Sequence, residues 1–475
     1  MKVGKVGVCG EKEANARHGV TMENRAPIDT LMALLIGMVV LAGAAPALAD
    51  SPASGSSTVP SASSPAPVDG LEARVAALEQ AQKPGPSGVL AIAGKDGFAL
   101  KSADGDWSFK PWGYLQFDGR FYRDDTLKPL PNTMLMRRAR IGFDLGLGHD
   151  IGGRLLPDFG NGTTVLYDAW IDYKRWPLLA LRAGKFKPPF GYERLQADTT
   201  YLFIERGMPS NLTPDRDMGV QAAGDYGAGM VSYAAGIFNG VPDAGNVDAD
   251  PDDDKDGVSR VYVQPFKGSS MAAVKELGVG VGGTYGHRAG SAAAPELPVF
   301  KTVAQQTWFS YKATAVAKGR TRRASPQAGW YAGPVGIFGE YVRTAEEVAP
   351  AVAAPRFITH DEAWQAAGSV VLTGEHPTYK GLVPAHPLGG GGCGAVELVG
   401  RVNELKVDPR VFPALADPTL SARVARGWAA GVNWYATSTL RCLVDYEETR
   451  FTGGAAKGAD REREKVILGR VQLAF

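Results

Sequence analysis

Residues Arg137–Gly148 read RRARIGFDLGLG. Ala139, Ile141, Phe143, Leu145 and Leu147 share one parity; Arg138, Arg140, Gly142, Asp144 and Gly146 share the other. Successive side chains of an extended chain point to opposite faces, so this stretch has one apolar and one strongly polar face. The pattern recurs in Glu464–Phe475, where Ile467, Gly469, Val471 and Leu473 oppose Arg470 and Gln472. In Thr439–Arg450, Leu440, Cys442, Val444 and Tyr446 oppose Arg441, Asp445 and Glu447. In Trp107–Tyr122, Lys110, Gln116, Asp118 and Arg120 share a face. A soluble sandwich shows the same alternation. Two features favour a membrane barrel. Aromatics gather near strand ends (Trp107, Trp112, Trp170, Trp176, Trp330, Tyr331, Trp428, Trp434 and Tyr435), as interfacial girdles require. The last alternating strand also finishes on Phe475 with no tail. A sheet that faces lipid must close, because an open edge leaves peptide groups unpaired in hydrocarbon.

The pattern predicts strands over 107–122, 137–148, 153–159, 163–174, 178–187, 218–225, 229–239, 257–267, 277–286, 326–333, 335–345, 362–373, 394–406, 426–435, 438–450 and 464–475. Sixteen is an even number, as closure of an antiparallel barrel in this membrane requires. Short connections then fall on one side and long ones, including 123–136, 188–217, 240–256 and 287–325, on the other. The segment 374–393 breaks the pattern: it is long but lies on the short side. The expected fold is therefore all-β, a 16-stranded antiparallel transmembrane β-barrel with an inward-folded third loop.

Composition agrees. The 475 residues include 60 Gly, about 13% against roughly 7% in average usage, which suits sheets and turns rather than long helices. Lys+Arg 51 against Asp+Glu 50 gives a formal charge of +1, so composition offers no case for nucleic acid. Three cysteines form no disulfide framework. The one helix-like apolar stretch, Leu31–Ala49, contains Pro46 and ends in Ala47-Leu48-Ala49, the small-residue pattern of a signal cleavage site. Residues 1–49 read as a signal peptide, with 1–21 ahead of Met22 as candidate untranslated sequence. Residues 50–67 read as a Ser/Pro/Ala-rich linker. Val68, Leu71, Val75 and Leu78 place a short coiled coil at 68–83, too short to stand alone but able to form if another interface gathers copies. Residues 84–106 connect it to a barrel domain at 107–475. The expected location is the Gram-negative outer membrane, in contact with lipid and lipopolysaccharide.

A loop of about thirty residues in a compact domain is usually functional. In a wide barrel its natural task is to fold inward and narrow the lumen. The loop 188–217 follows Lys185 and Lys187 and carries Arg194, Glu205-Arg206 and Asp215-Arg216-Asp217, stiffened by Pro188, Pro189, Pro209 and Pro214. Together with Arg138 and Arg140 from the polar face of 137–148, the residues Lys185, Lys187, Arg194, Arg206 and Arg216 are candidates for an anion-binding constriction. Guanidinium groups in a narrow lumen replace part of an anion's hydration shell with fixed donors. Each could equally be structural, because Glu205 and the two aspartates can clamp the loop by internal pairing.

From about Phe109 to Phe475 the chain resembles the phosphate-selective porins O and P. The stretches that carry the resemblance are Arg137–Arg140, Asp168–Tyr173 (DAWIDY), Leu181–Phe190 (LRAGKFKPPF), Glu205-Arg206, Asn211–Val220 (NLTPDRDMGV), Ala363–Glu375 (AWQAAGSVVLTGE), Glu397–Arg401 (ELVGR) and Gly431–Tyr435 (GVNWY). The resemblance implies a sixteen-stranded barrel, usually a homotrimer, that passes phosphate or other small anions. Asp144, Glu397, Asp445 and Glu447 also occupy polar faces, which sets phosphate specificity apart from pore function. The alternatives are a general non-selective porin, a barrel enzyme or adhesin, and a soluble β-sheet binding protein.

Asp252, Asp254 and Asp256 fit the start of a calcium-loop template, but its twelfth position is Val263 instead of Glu. They are candidate metal ligands or a solvated acidic loop. The six histidines lack metal-ligand spacing, and neither a G-x-S-x-G elbow nor a P-loop occurs. No cofactor and no enzymatic activity are expected.

Overall fold

The computed structural model describes residues 88–94, 97–123, 130–250, 252–389 and 391–475. The signal, linker and coiled-coil expectations lie outside these residues. Sixteen strands form the wall: β1 Trp107–Arg123, β2 Thr133–Leu147, β3 Ile151–Asp158, β4 Val165–Trp176, β5 Leu179–Phe186, β6 Asp217–Tyr226, β7 Val231–Phe238, β8 Asp256–Val263, β9 Gly278–Ala289, β10 Val316–Ala332, β11 Val335–Ala349, β12 Glu362–Val371, β13 Ala395–Lys406, β14 Ala422–Tyr435, β15 Leu440–Gly453 and β16 Glu464–Ala474. Each pairs antiparallel with the next. β16 closes on β1, from Lys465 opposite Arg123 to Ala474 opposite Tyr114.

Lipid explains the alternation. Ile141 and Leu145 of β2 are 45% and 46% exposed on the outer surface, whereas Arg138 and Arg140 are buried inside. Strand β10 begins ten residues earlier than 326–333 predicts. Its first half, with Arg320, Arg322 and Arg323, lacks apolar alternation. This segment lies at the long-loop end, where the outward face needs no apolar residues.

The girdle expectation holds for Trp107, Trp176 and Trp428, which are exposed outside. It fails for Trp112 and Trp170, which line the lumen, and for the buried Tyr331 and Tyr435. Residues 84–106 are more than a connector. Val89–Gly94 pairs with Gly97–Ser102, and that hairpin extends the sheet through Leu100 opposite Phe109.

Inside the barrel the long loops build a core. In the connection after β9, Val299–Lys301 pairs with Thr307–Ser310, and Phe300, Trp308 and Phe309 are fully buried. They pack with Val411, Leu415 and Phe451, and with Met208 and Leu212 of the inward loop 187–216. That loop is thereby held from the long-loop end. The exceptional segment 372–394 holds it from the other side. The Tyr379 ring meets the Tyr192 ring edge-on at 4.9 Å, and Gln196 Nε2 donates to Tyr379 O at 3.1 Å.

Candidate functional site

The third long connection, 187–216, does fold into the lumen. Its path is fixed by buried wall groups that bond its main chain. Gln472 Nε2 donates to Thr199 O at 3.1 Å, Gln116 Nε2 to Asp198 O at 3.0 Å, and Asn433 Nδ2 to Leu202 O at 2.8 Å. Arg401 Nη1 donates to Glu205 O at 2.9 Å, and Ile204 N donates to Asp445 Oδ2 at 2.7 Å. On the far side Glu340 Oε2 accepts from Tyr192 N at 2.6 Å. Inward polar residues of β1, β11 and β13–β16 therefore serve as loop anchors. Glu397, by contrast, accepts from the Tyr435 hydroxyl at 2.7 Å within the wall.

Two carboxylates organise the cations. Asp198 lies 2.7 Å from Arg206 Nη2, 3.6 Å from Arg138 Nε and 3.8 Å from Lys187 Nζ, and it bonds Arg140 Nη1 directly. Glu205 lies 2.5 Å from Arg137 Nε, 3.6 Å from Arg138 Nη2 and 3.7 Å from Arg470 Nη2. Burial alone would raise both carboxyls. The surrounding cations, Arg140 and Arg206 for Asp198 and Arg137 and Arg138 for Glu205, outweigh burial and hold both below the ordinary range. Burial lowers Arg206 to about 10. Burial, with Arg206 nearby, also pushes the Lys187 ammonium well below its ordinary value.

Tyr167 lies between two guanidinium groups: the Arg140 carbon is 3.7 Å and the Arg216 carbon 4.5 Å from its ring centre. The register shift between Leu156 and Pro157 leaves Tyr167 as the extra residue of a bulge and turns it inward. Asp158 accepts from Arg140 Nε at 2.7 Å, and Asp168 accepts from Arg216 Nε at 3.3 Å.

Arg138, Arg140, Lys187, Arg194, Arg206 and Arg216 thus converge around the loop. Arg194 works largely inside it, donating to Thr213 Oγ1 at 2.8 Å and lying 3.1 Å from Asp215. Lys185 does not join them. It shares the outward parity of Leu181 and Ala183, and its buried side chain pairs with Asp248. The aspartate triplet also fails as a ligand set. Asp256 is held by both Arg288 Nη atoms at 2.8 Å, Asp254 faces His287 at 3.1 Å, and Asp252 accepts from Ala289 N at 2.8 Å. Among the described residues no group of three or more His, Cys, Asp or Glu is arranged to hold a metal.

Two cavities flank the loop. The one toward the long-loop end measures about 590 Å³ and is lined by Arg137, Arg138, Arg140, Arg194, Arg206, Arg216 and Lys301 against Asp198, Glu205, Asp215 and Asp243. The one toward the short-turn end measures about 610 Å³ and is lined by Arg140, Arg154, Lys174, Arg182, Lys187, Arg216 and Arg260 against Asp168, Asp198 and Asp225. Their linings share Arg140, Asp198 and Arg216, so these three side chains stand between the two cavities.

A closed sixteen-strand wall, an apolar outer face and a lumen narrowed by one loop define an outer-membrane diffusion channel. The chain matches the phosphate-selective porin O and P family over residues 112–475 and belongs to it. Its setting is the outer membrane of a Gram-negative cell. It is 26% identical over 409 residues to an uncharacterized protein of Caulobacter vibrioides, covering 78% of this chain and 75% of that one. Its fold is similar to that of the outer membrane channel DcaP of Acinetobacter baumannii, with a TM-score of 0.51 at 11% identity over 81% of this chain and 100% of that one. It is also similar to the anion-selective porin from Comamonas acidovorans, with a TM-score of 0.50 at 11% identity over 78% of this chain and 100% of that one. At these identities the likeness is one of fold.

Proposed function

We infer that the protein is an anion-preferring passive channel for phosphate and comparable small anions. One observation carries this reading: the chain as a whole has a formal charge of only +1, yet each cavity is lined by seven basic side chains against three or four acidic ones. An anion leaving water meets fixed donors at Arg140 and Arg216, with Lys187 and Arg206 beside them. The same reading assigns 1–49 to export, assembles the barrel as a homotrimer and sets lipopolysaccharide around its rim. Zero-current potentials across a planar bilayer in a salt gradient test it. Anion preference, together with block of chloride current by phosphate, supports it; cation preference overturns it. A second reading, a general non-selective pore, is favoured by the pairing of Asp198 and Glu205 with most of these cations. In that case the zero-current potential stays near zero.

A further inference from the structure

Trp112 and Trp170 lie on the luminal face, beside Tyr114 and Arg140, in the cavity toward the short-turn end. Large apolar rings facing a polar passage are unfavourable unless something covers them, and both rings remain partly exposed there. Both rings are held in place. The Trp112 indole lies across Gly142, where an added Cβ would come within 2.3 Å of it. The indole Nε1–H is buried without a hydrogen-bond partner. Guanidinium planes continue the surface: Arg182 sits 3.8 Å over the Trp170 ring, and Arg154 lies 4.8 Å from Trp112 and 5.4 Å from Trp170.

These arginines are not free anion receptors. Asp144 accepts from Arg154 at 2.7 and 2.9 Å, and Asp172 accepts from Arg182 at 3.1 Å. Pairing fixes their planes and offsets their charge, which leaves flat polarizable walls. Two further cations of the same cavity, Arg140 and Arg216, sit at its other end, each shared between two carboxylates: Asp158 and Asp198 for Arg140, Asp168 and Asp215 for Arg216. The cavity is thus graded, flat and aromatic below and cationic above. Its volume of about 610 Å³ is that of a site for a small organic ligand.

We propose that this cavity is a binding site for aryl anions, with the ring against Trp112 and Trp170 and the anionic head toward Arg140 and Arg216. The proposal rests on the anion-preferring reading and names its substrate class. Phenyl phosphate against inorganic phosphate is the probe pair, since the two differ by the ring. Each is titrated against chloride current through the full-length channel in planar bilayers.

Phenyl phosphate is expected to block at about tenfold lower concentration, the effect of one good aromatic contact. Trp170→Ala abolishes that difference and leaves block by inorganic phosphate unchanged, while Trp170→Phe restores it. Equal block by the two probes in the unmodified channel overturns the proposal whether or not a variant folds, and so does a preference that survives Trp170→Ala. Zero-current potentials in chloride, read on the same membranes, report anion preference independently. A failure of that reading is therefore seen apart from a failure of the aryl site.

Discussion

The hydroxyl of Tyr379 donates to the main-chain carbonyl of Tyr192 at 2.9 Å. This bond joins a connection at the short-turn end of the barrel to the loop that narrows the lumen. It explains why 372–394 is long where its neighbours are short: the segment is a prop for the inward loop, aided by Gly381 packed against Thr200. At its base His376 Nε2 lies 3.0 Å from Glu276, and its Nδ1 lies 2.8 Å from Gly333 O. Tyr379→Phe removes the tether while keeping the ring contact. The loss is about 1 kcal/mol, or roughly fivefold in the balance between docked and undocked prop. Larger open-channel current noise at unchanged mean selectivity is the expected single-channel record.

Asp198 is the second target. Asn at this position leaves Arg138, Arg140, Arg206 and Lys187 facing one another without their shared anion. Removing one partner of a buried ion pair costs about 3 kcal/mol. Asp198→Asn should therefore lower the temperature at which the folded barrel band disappears on gels. The same variant should strengthen anion preference. A variant as heat-stable as the parent would show that the four cations do not depend on Asp198.

Arg206 differs from Arg140 in being a loop residue, with its guanidinium carbon 4.3 Å from the Tyr201 ring centre. Its charge is separable from the wall. Arg206→Ala should reduce anion preference roughly twofold to threefold, the effect of one unit charge acting over about 7 Å of water. Zero-current potentials at low salt would read it, and the difference should fade as the salt concentration rises.

Lys187 supplies a pH dependence. Its ammonium is disfavoured by burial and by Arg206, so it gains its proton only as the pH falls through a value well below the ordinary one. Lowering the pH thus adds positive charge beside Asp198 and Arg206. Anion preference should rise on acidification, with a shallower rise in Lys187→Met. Parallel curves for the two proteins would remove Lys187 from the path of the ion.

Much of this was legible in the chain. Lipid demands an apolar outward parity, so Ile141, Leu145, Val471 and Leu473 announced the wall, and the sixteen strands followed. The same rule, applied to aromatics, would have turned Trp112 inward with Gln116 and Asp118, and Trp170 inward with Asp168 and Asp172. Lys185 was misplaced because its position beside Lys187 outweighed its parity with Leu181 and Ala183. Asp198 could not be singled out, because its role depends on where a thirty-residue loop docks against strands distant in sequence. Tyr167 needed the bulge, for which the proline at position 157 is the local sign.

The two cavities have only Arg140, Asp198 and Arg216 in common. In the channel proposed above, the two cavities act electrically in series, joined where these three side chains stand. A charge altered at that junction is expected to change the unitary current directly. A charge altered elsewhere in the lumen changes how often ions arrive. The two kinds of substitution should therefore separate in recordings at saturating and at limiting salt.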